Sequence, residues 1–270
     1  MKVWILGSGS RGNATVIDNG KTRVLIDAGF SARELKRRLL VAGIAPESVE
    51  ALIVTHEHGD HACGAARAAR RWKWAVHATR GTVEGAPELA EVDVCTFDAG
   101  ETLTFSSMSV LTVPTSHDAA DPVAVVATDT ATGARAAVVL DLGRGSPQLT
   151  KVLRDVEVLI LESNHDERLL ADGPYPVSVQ RRIASYVGHL SNREAGAIVR
   201  ACAHSNLQHL VLAHISEQCN TPDHALATSS AALARSRFRG QVTAASQDFV
   251  HGAVVGSRRG GRTLQLALGL

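Results

Sequence analysis

Apolar positions along this chain gather into short, dense runs separated by polar turns, with no long uniformly amphipathic stretch. The runs are KVWIL (2–6), ATVID (14–18), TRVLID (22–27), ALIVT (51–55), SVLTVP (109–114), VAVVAT (123–128), RAAVVLD (135–141), VEVLILE (156–162) and HLVLAH (209–214). Their length and their valine, isoleucine and threonine content predict β-strands. Several are apolar at every position, so both of their faces should be covered. Helical spacing of apolar residues falls between them at 31–42, 62–71, 147–154, 176–187, 192–203 and 222–236. Ser191 followed by Glu194 reads as a capping box that opens the fifth of these helices. Strand meanders mixed with helical crossovers predict an α/β fold of two sheets with helices outside, a four-layer α/β/β/α sandwich. No repeat, low-complexity tract or linker breaks the pattern, so one domain is expected over residues 1–270.

Composition narrows the function classes. At 45% hydrophobic residues, 270 positions supply ample core. Lys and Arg number 28 against 27 Asp and Glu, so bulk charge draws the chain neither to nucleic acid nor to a membrane. Any polyanion must be held by local groups. The apolar stretch in MKVWILGSGS is too short for a signal peptide, and no run approaches the ~18 residues of a membrane span. A cytoplasmic protein is the expectation. Cys63, Cys95, Cys202 and Cys219 form no CxxC pair and should be reduced thiols, most of them buried. The basic stretches ARELKRR (32–38) and RAARRWK (67–73) read as solvated helix faces.

Candidate chemistry sits just past the strand ends, where α/β folds place their sites. VTHEHGDHACG (54–64) brings His56, His58, Asp60 and His61 behind one apolar run; His117, Asp141 and His214 each follow another. Five imidazoles and two carboxylates from four strand termini could meet in one cleft. The donors suit zinc, with manganese and iron as alternatives. His56 and His58, two apart on extended chain, project to one side and can share a metal. Asp60 and His61, beyond Gly59 where the chain turns into a helix, are displaced enough to serve a second. His117 and His214 could complete the two sites, with Asp141 between them. Two such metals activate a shared water, and a bridging hydroxide is the expected nucleophile of a phosphoryl transfer.

A single histidine after a strand is ordinarily a surface or hydrogen-bonded core residue. What changes that weighting is HxHxDH, which fixes four residues in six positions with matching donors downstream. His77, His204, His209, His224 and His251 have no such surroundings and read as solvated or structural, and Cys63 and Cys219 as small buried thiols.

HEHGDH with GSGSRGNA (7–14), LIDAG (25–29), SHDAADP (116–122), DLG (141–143), ESNHD (162–166), GPYP (173–176), GHLSN (188–192) and AHIS (213–216) resembles the metallo-β-lactamase fold superfamily, specifically its YycJ/WalJ (VicX) branch. The resemblance runs to about residue 247 and leaves out the tail GSRRGGRTLQLALGL. It implies a dinuclear site with His56, His58 and His117 on one metal, Asp60, His61 and His214 on the other, and Asp141 bridging. Asp27 would organise the loop and not ligate. Glu162 and His189 stand in positions similar to a glutamate and histidine that protonate the leaving group in the ribonuclease Z group. Asn164 and His165 could instead line the substrate pocket. The chain departs from the family at Gly59, where serine is usual and loop flexibility is affected, and at Cys219, near a usual Asn-Asn pair.

The activity implied is that of a metal-dependent hydrolase of phosphodiesters, a DNA exonuclease acting 5′ to 3′, with catalytic Asp60, His189 and Glu162. The alternatives are a small-molecule or cyclic-nucleotide phosphodiesterase and, from another class, a noncatalytic regulatory protein on the same fold. Retention of all seven candidate ligands weighs against the last.

Overall fold

The computed structural model describes residues 1–254. Its strands, in chain order, are β1 (Lys2–Gly7), β2 (Ala14–Asp18), β3 (Arg23–Ile26), β4 (Ala51–Val54), β5 (Ala75–Thr79), β6 (Val94–Phe97), β7 (Thr102–Phe105), β8 (Met108–Pro114), β9 (Val123–Asp129), β10 (Arg135–Val139), β11 (Val158–Glu162), β12 (His209–Ala213), β13 (Gln241–Ala244) and β14 (His251–Val254). They form two seven-stranded sheets, ordered β14-β1-β2-β3-β4-β5-β6 and β13-β12-β11-β10-β9-β8-β7. In each, the chain runs antiparallel through three strand pairs and then parallel through three more, the change falling at β3 and β10.

Parallel pairs need crossovers, and these lay the helices on the outer faces. Helices α1 (Ala32–Val41) and α3 (Ala65–Trp72) cover the first sheet, packing Leu35, Leu39 and Trp72 with Trp4, Leu6 and Leu52. Helices α5 (Pro147–Leu153), α8 (Asn192–Cys202) and α9 (Pro222–Leu233) cover the second, packing Leu149, Val199 and Leu233 with Leu159 and Leu210. Between the sheets, Val3, Ile5 and Ile26 meet Val110, Val125, Val138 and Ile160 in a third apolar layer. The alternation of Val3 and Ile5 inward with Trp4 and Leu6 outward explains why KVWIL carries no polar face. This is the four-layer α/β/β/α sandwich.

Several local expectations change. The helix expected over 62–71 is two, α2 (Gly59–Ala62) and α3, because Gly64 presses against the carbonyls of Phe30 and Ala28 and turns the chain between them. The helix expected over 176–187 is α7 (Val177–Ile183), ending before the backbone turns toward His189. Helices α4 (Arg80–Gly85) and α6 (Glu167–Ala171) were not expected, nor were β5, β6, β7, β13 and β14. Only Cys202 and Cys219 are buried; Cys63 and Cys95 are exposed, the second on the edge strand β6. Arg38 is not a solvated side chain: it is buried and donates to the carbonyls of Leu6 and Gln247 while pairing with Glu34. Among the described residues no helix is long and apolar enough to cross a membrane. The tail from 256 lies outside the described residues.

Candidate metal centre and active site

Strands β3, β4, β8, β10, β11 and β12 deliver their following residues to one end of the sandwich. Asp27 follows β3, the 55–61 segment follows β4, His117 lies beyond β8, Asp141 beyond β10, Glu162 closes β11, and His214 follows β12. Asp27 (φ 62°), Asp141 (φ 50°) and His214 (φ 50°) adopt the left-handed conformation. Non-glycine residues enter that region at a cost of roughly 1–3 kcal/mol each, so the chain bends against its preference to aim these groups.

Two donor groups result, His56 with His58 and His117, and Asp60 with His61, Asp141 and His214. In the first, His58 Nδ1 is 3.3 Å from His117 Nε2. In the second, His214 Nε2 is 3.3 Å from Asp60 Oδ2. Asp141 Oδ2 lies between them, 2.5 Å from His61 Nε2 and 3.7 Å from His56 Nε2.

The outward nitrogens are tied back so that the inward ones present lone pairs. His61 Nδ1 donates to Asp27 Oδ2 at 2.7 Å, and His117 Nδ1 donates to the carbonyl of Gly188 at 2.9 Å. His56 Nδ1 donates to Thr55 Oγ1 at 3.1 Å, whose own proton goes to Asp27 Oδ2 at 3.0 Å; Thr55 N–H donates to Asp27 Oδ1. Such partners fix the tautomer and orientation of metal-binding rings. His56 Nε2 is buried without any hydrogen-bond partner, and Asp141 Oδ2 is buried with no well-formed hydrogen bond although His61 Nε2 lies 2.5 Å away. Buried polar atoms are ordinarily paired, and unpaired donors converging with neighbouring imidazoles and carboxylates fit a divalent transition metal.

Charge follows the same division. Burial pushes His56 and His117 below the usual histidine value, toward the neutral form that ligates. Burial acts the same way on His61 and His214, but the carboxylates of Asp27 and Asp141 outweigh it for His61, which lies well above its ordinary value. Asp141, Asp60 and Glu162 raise His214 to about 9. A cation bound there would take the place of those protons.

Glu162 and His189 stand against this centre. Glu162 is fully buried, and its Oε2 accepts the backbone N–H groups of Leu142 (2.8 Å) and Leu190 (3.1 Å). Burial would raise its pKa; the neighbouring His189 and His214 bring it down to about 2. Its Oε1 takes His189 Nδ1 at 2.7 Å, with Asp141 Oδ1 at 3.1 Å from the same nitrogen. The His189 ring, partly exposed, stacks on His214 at 5.3 Å. With Nδ1 engaged, Nε2 is left for the cleft. His189, Glu162, Asp141 and His214 also form a third donor group, so the ring has two possible uses.

The cleft encloses about 360 Å³ and is lined by Ser10, His58, Asp60, His117, Asp141, Arg182, His189 and His214, with Gly59. A larger cavity of about 620 Å³ runs along β5 and β6 between Arg70 and Cys95, but no converging donor set lines it. Of the nine candidate ligands and catalytic residues, His58, Asp60, His117, Asp141, His189 and His214 line the smaller cleft, and His56, His61 and Glu162 are buried in the donor groups beside it. Asn164 and His165 do not line it; both are buried, and Asn164 donates to the carbonyl of His214. Gly59 starts α2 with ordinary backbone angles and open space beside it. The sequence reading missed Asn13, whose Nδ2 is 3.2 Å from Asp60 Oδ2, and Thr55. It also missed Asp118, whose Oδ1 is buried, unpartnered and 3.3 Å from His117 Nε2, and Arg182, which holds Asp118 Oδ2. Asn13 and Asp118 lay inside the motifs GSGSRGNA and SHDAADP; Arg182 carried no signal.

A sandwich of this layering with these donors at its strand ends defines a class, and the chain belongs to the metallo-β-lactamase superfamily, whose family model matches residues 7–146. It is a metal-dependent hydrolase. It is 30% identical over 239 residues to exodeoxyribonuclease YycJ of Bacillus anthracis, covering 87% of this chain and 89% of that one. To exodeoxyribonuclease WalJ of Streptococcus pneumoniae it is 31% identical over 244 residues, covering 87% and 88%. Its fold is similar to the crystal structure of the metallo-β-lactamase fold protein YhfI from Bacillus subtilis, with a TM-score of 0.68 and 17% identity over 92% of this chain and 98% of that one.

Proposed function

We propose that this protein is a cytoplasmic DNA exonuclease, a single catalytic domain that hydrolyses phosphodiesters 5′ to 3′ with two divalent metal ions, zinc by first choice. His56, His58 and His117 would hold one ion, Asp60, His61 and His214 the other, and Asp141 would bridge. Bound there, the ions would supply Lewis acidity to the phosphate and activate the attacking water. The carrying observation is the Glu162–His189 pair at 2.7 Å beside the two donor groups. Glu162, fixed by two backbone N–H groups, holds the imidazole and favours its charged form, since burial of His189 is outweighed by Glu162 and Asp141 and its pKa lies well above the ordinary value. From there Nε2 can give a proton to the departing sugar oxygen. The relatives' names support DNA as substrate; the polarity rests on the resemblance to the YycJ branch.

The modest cleft favours a second reading, a small-molecule or cyclic-nucleotide phosphodiesterase. One assay separates the two. Metal-loaded protein is incubated with DNA labelled at either end, single- and double-stranded, with RNA, and with bis(p-nitrophenyl) phosphate. Stepwise loss from the 5′ end of DNA is expected. Turnover of the small diester with every polynucleotide left intact would replace the first reading by the second.

A further inference from the structure

A chain of near-zero net charge must hold a polyanion with local groups, and one rim of the cleft carries exposed aromatic and basic groups. The seven-residue helix α7 has no buried residue, although short helices owe their stability mainly to packing. Val177, Tyr186 and Val187, within and just beyond it, are exposed, Tyr186 to 72%. Arg182 on this helix lines the cleft, and the Arg144 guanidinium lies 4.9 Å from the centre of the Tyr186 ring. Arg182 is paired with Asp118, whereas neither Arg144 nor Arg181 has a carboxylate partner among the described residues.

This rim is not loose. Ser116 Oγ donates to the Tyr186 carbonyl at 2.6 Å, Asp118 N–H to the Val187 carbonyl at 2.9 Å, and His117 Nδ1 to the Gly188 carbonyl at 2.9 Å. Gly143, whose missing side chain would collide with the Tyr186 carbonyl, lets the segment press against the loop after Asp141. An exposed aromatic ring is thus bolted, through three successive carbonyls, to residues flanking the first donor group. Elsewhere at the cleft, beyond Ser10, Arg11 is already tied to Glu217 and Asp248, as Arg182 is to Asp118, so the arginines without a carboxylate partner on the α7 side are Arg144 and Arg181.

We propose that this rim grips the single-stranded end of a polynucleotide, Tyr186 stacking on a base beside the scissile phosphate while Arg144 and Arg181 take flanking phosphates. The proposal rests on the exonuclease reading above. Stacking needs no particular base, because every base offers a π-face, and guanidinium groups follow the backbone. The grip therefore favours single strands over duplex without choosing a sequence.

The test compares wild type, Tyr186→Ala, Tyr186→Phe, Arg144→Ala and Arg181→Ala, all metal-loaded, on a mixed-sequence single-stranded oligonucleotide and on bis(p-nitrophenyl) phosphate. Tyr186→Ala is expected to lower the ratio of kcat/KM for DNA to that for the small diester by about 10-fold or more, mainly through KM, and Tyr186→Phe to restore it. Each arginine variant is expected to flatten the slope of log Kd for the oligonucleotide against log salt by about 0.7. A wild type that degrades the oligonucleotide with a Tyr186→Ala ratio unchanged overturns the grip and leaves the exonuclease reading standing. A wild type that hydrolyses the small diester but no polynucleotide overturns both.

Discussion

Asp27 Oδ2 lies 2.7 Å from Nδ1 of His61, so one buried carboxylate determines which nitrogen of a ring in the second donor group carries the proton. Through Thr55 the same carboxylate reaches His56 in the first group. The two halves of the centre are thereby oriented by a residue that belongs to neither. Asparagine tolerates the left-handed backbone at this position, which makes Asp27→Asn a test of the carboxylate alone. Metal affinity, measured by chelator competition, is expected to fall about 10- to 100-fold, and stability by roughly 1–3 kcal/mol in urea melts. Unchanged affinity would mean that Asp27 only shapes the loop.

Metal uptake should release protons. With His61 well above its ordinary value and His214 near 9, the metal-free protein carries protons on both rings at neutral pH, and ligation displaces them. Titration calorimetry in buffers of different ionisation enthalpy should show net proton release near pH 7, diminishing as pH rises through about 9 where His214 has already lost its proton. The stability link has a definite sign: a raised histidine pKa stabilises the metal-free fold below the unfolded value of 6.5, and the gain is lost as pH rises through about 9. No proton release at pH 7 would contradict the charge distribution described.

Legibility in the sequence follows how local each feature's cause is. Strands such as β1 and β11 are buried on both faces and show as unbroken apolar runs. The edge strands β6 and β13, reading VCTF and QVTA, have little to bury and left no pattern. HxHxDH is contiguous, so the ligand-rich loop could be seen at once; His117, Asp141 and His214 became recognisable through strand endings and family resemblance. The Asp27–Thr55–His56 relay and the Arg182–Asp118 pair join residues distant in sequence, and only the folded chain brings them together. Arg38 was misread for the same reason, since its partners Leu6 and Gln247 come from opposite ends of the described chain.

Two glycines near the centre should respond in opposite ways. A methyl group on Gly29 would collide with the carbonyl of Asp60, so Gly29→Ala must displace the ligand loop, and both metal content and stability should fall, the latter by about 3 kcal/mol or more. Gly59 has open space and ordinary backbone angles, so Gly59→Ser should stay within about 0.5 kcal/mol of wild type with full metal content. Elemental analysis and thermal melts of the two variants check this.

Away from the candidate metal centre, Glu34 anchors the buried Arg38. Hydrogen bonds from Arg37, opposed by partial burial and joined by Arg38, bring Glu34 down to about 2 from 4.5. A lowered carboxylate pKa contributes stability fully present above 4.5 and lost as pH falls through about 2. Glu34→Gln should therefore cost roughly 0.5–1 kcal/mol at pH 7 and nothing below pH 2. Arg38→Ala, which leaves two buried carbonyls without their donor, should cost about 2–4 kcal/mol at either pH. Urea melts across the pH range measure both.

The central claim, that His189 held by Glu162 protonates the leaving group and does not ligate metal, is tested most directly by His189→Ala on two leaving groups. The variant is expected to keep its metal content and to lose about 10²- to 10⁴-fold in rate on a natural phosphodiester, the scale of general acid catalysis. On a p-nitrophenyl ester, whose leaving group needs no proton, the loss should be far smaller. Equal losses on both substrates, or loss of metal from the variant, would contradict the account.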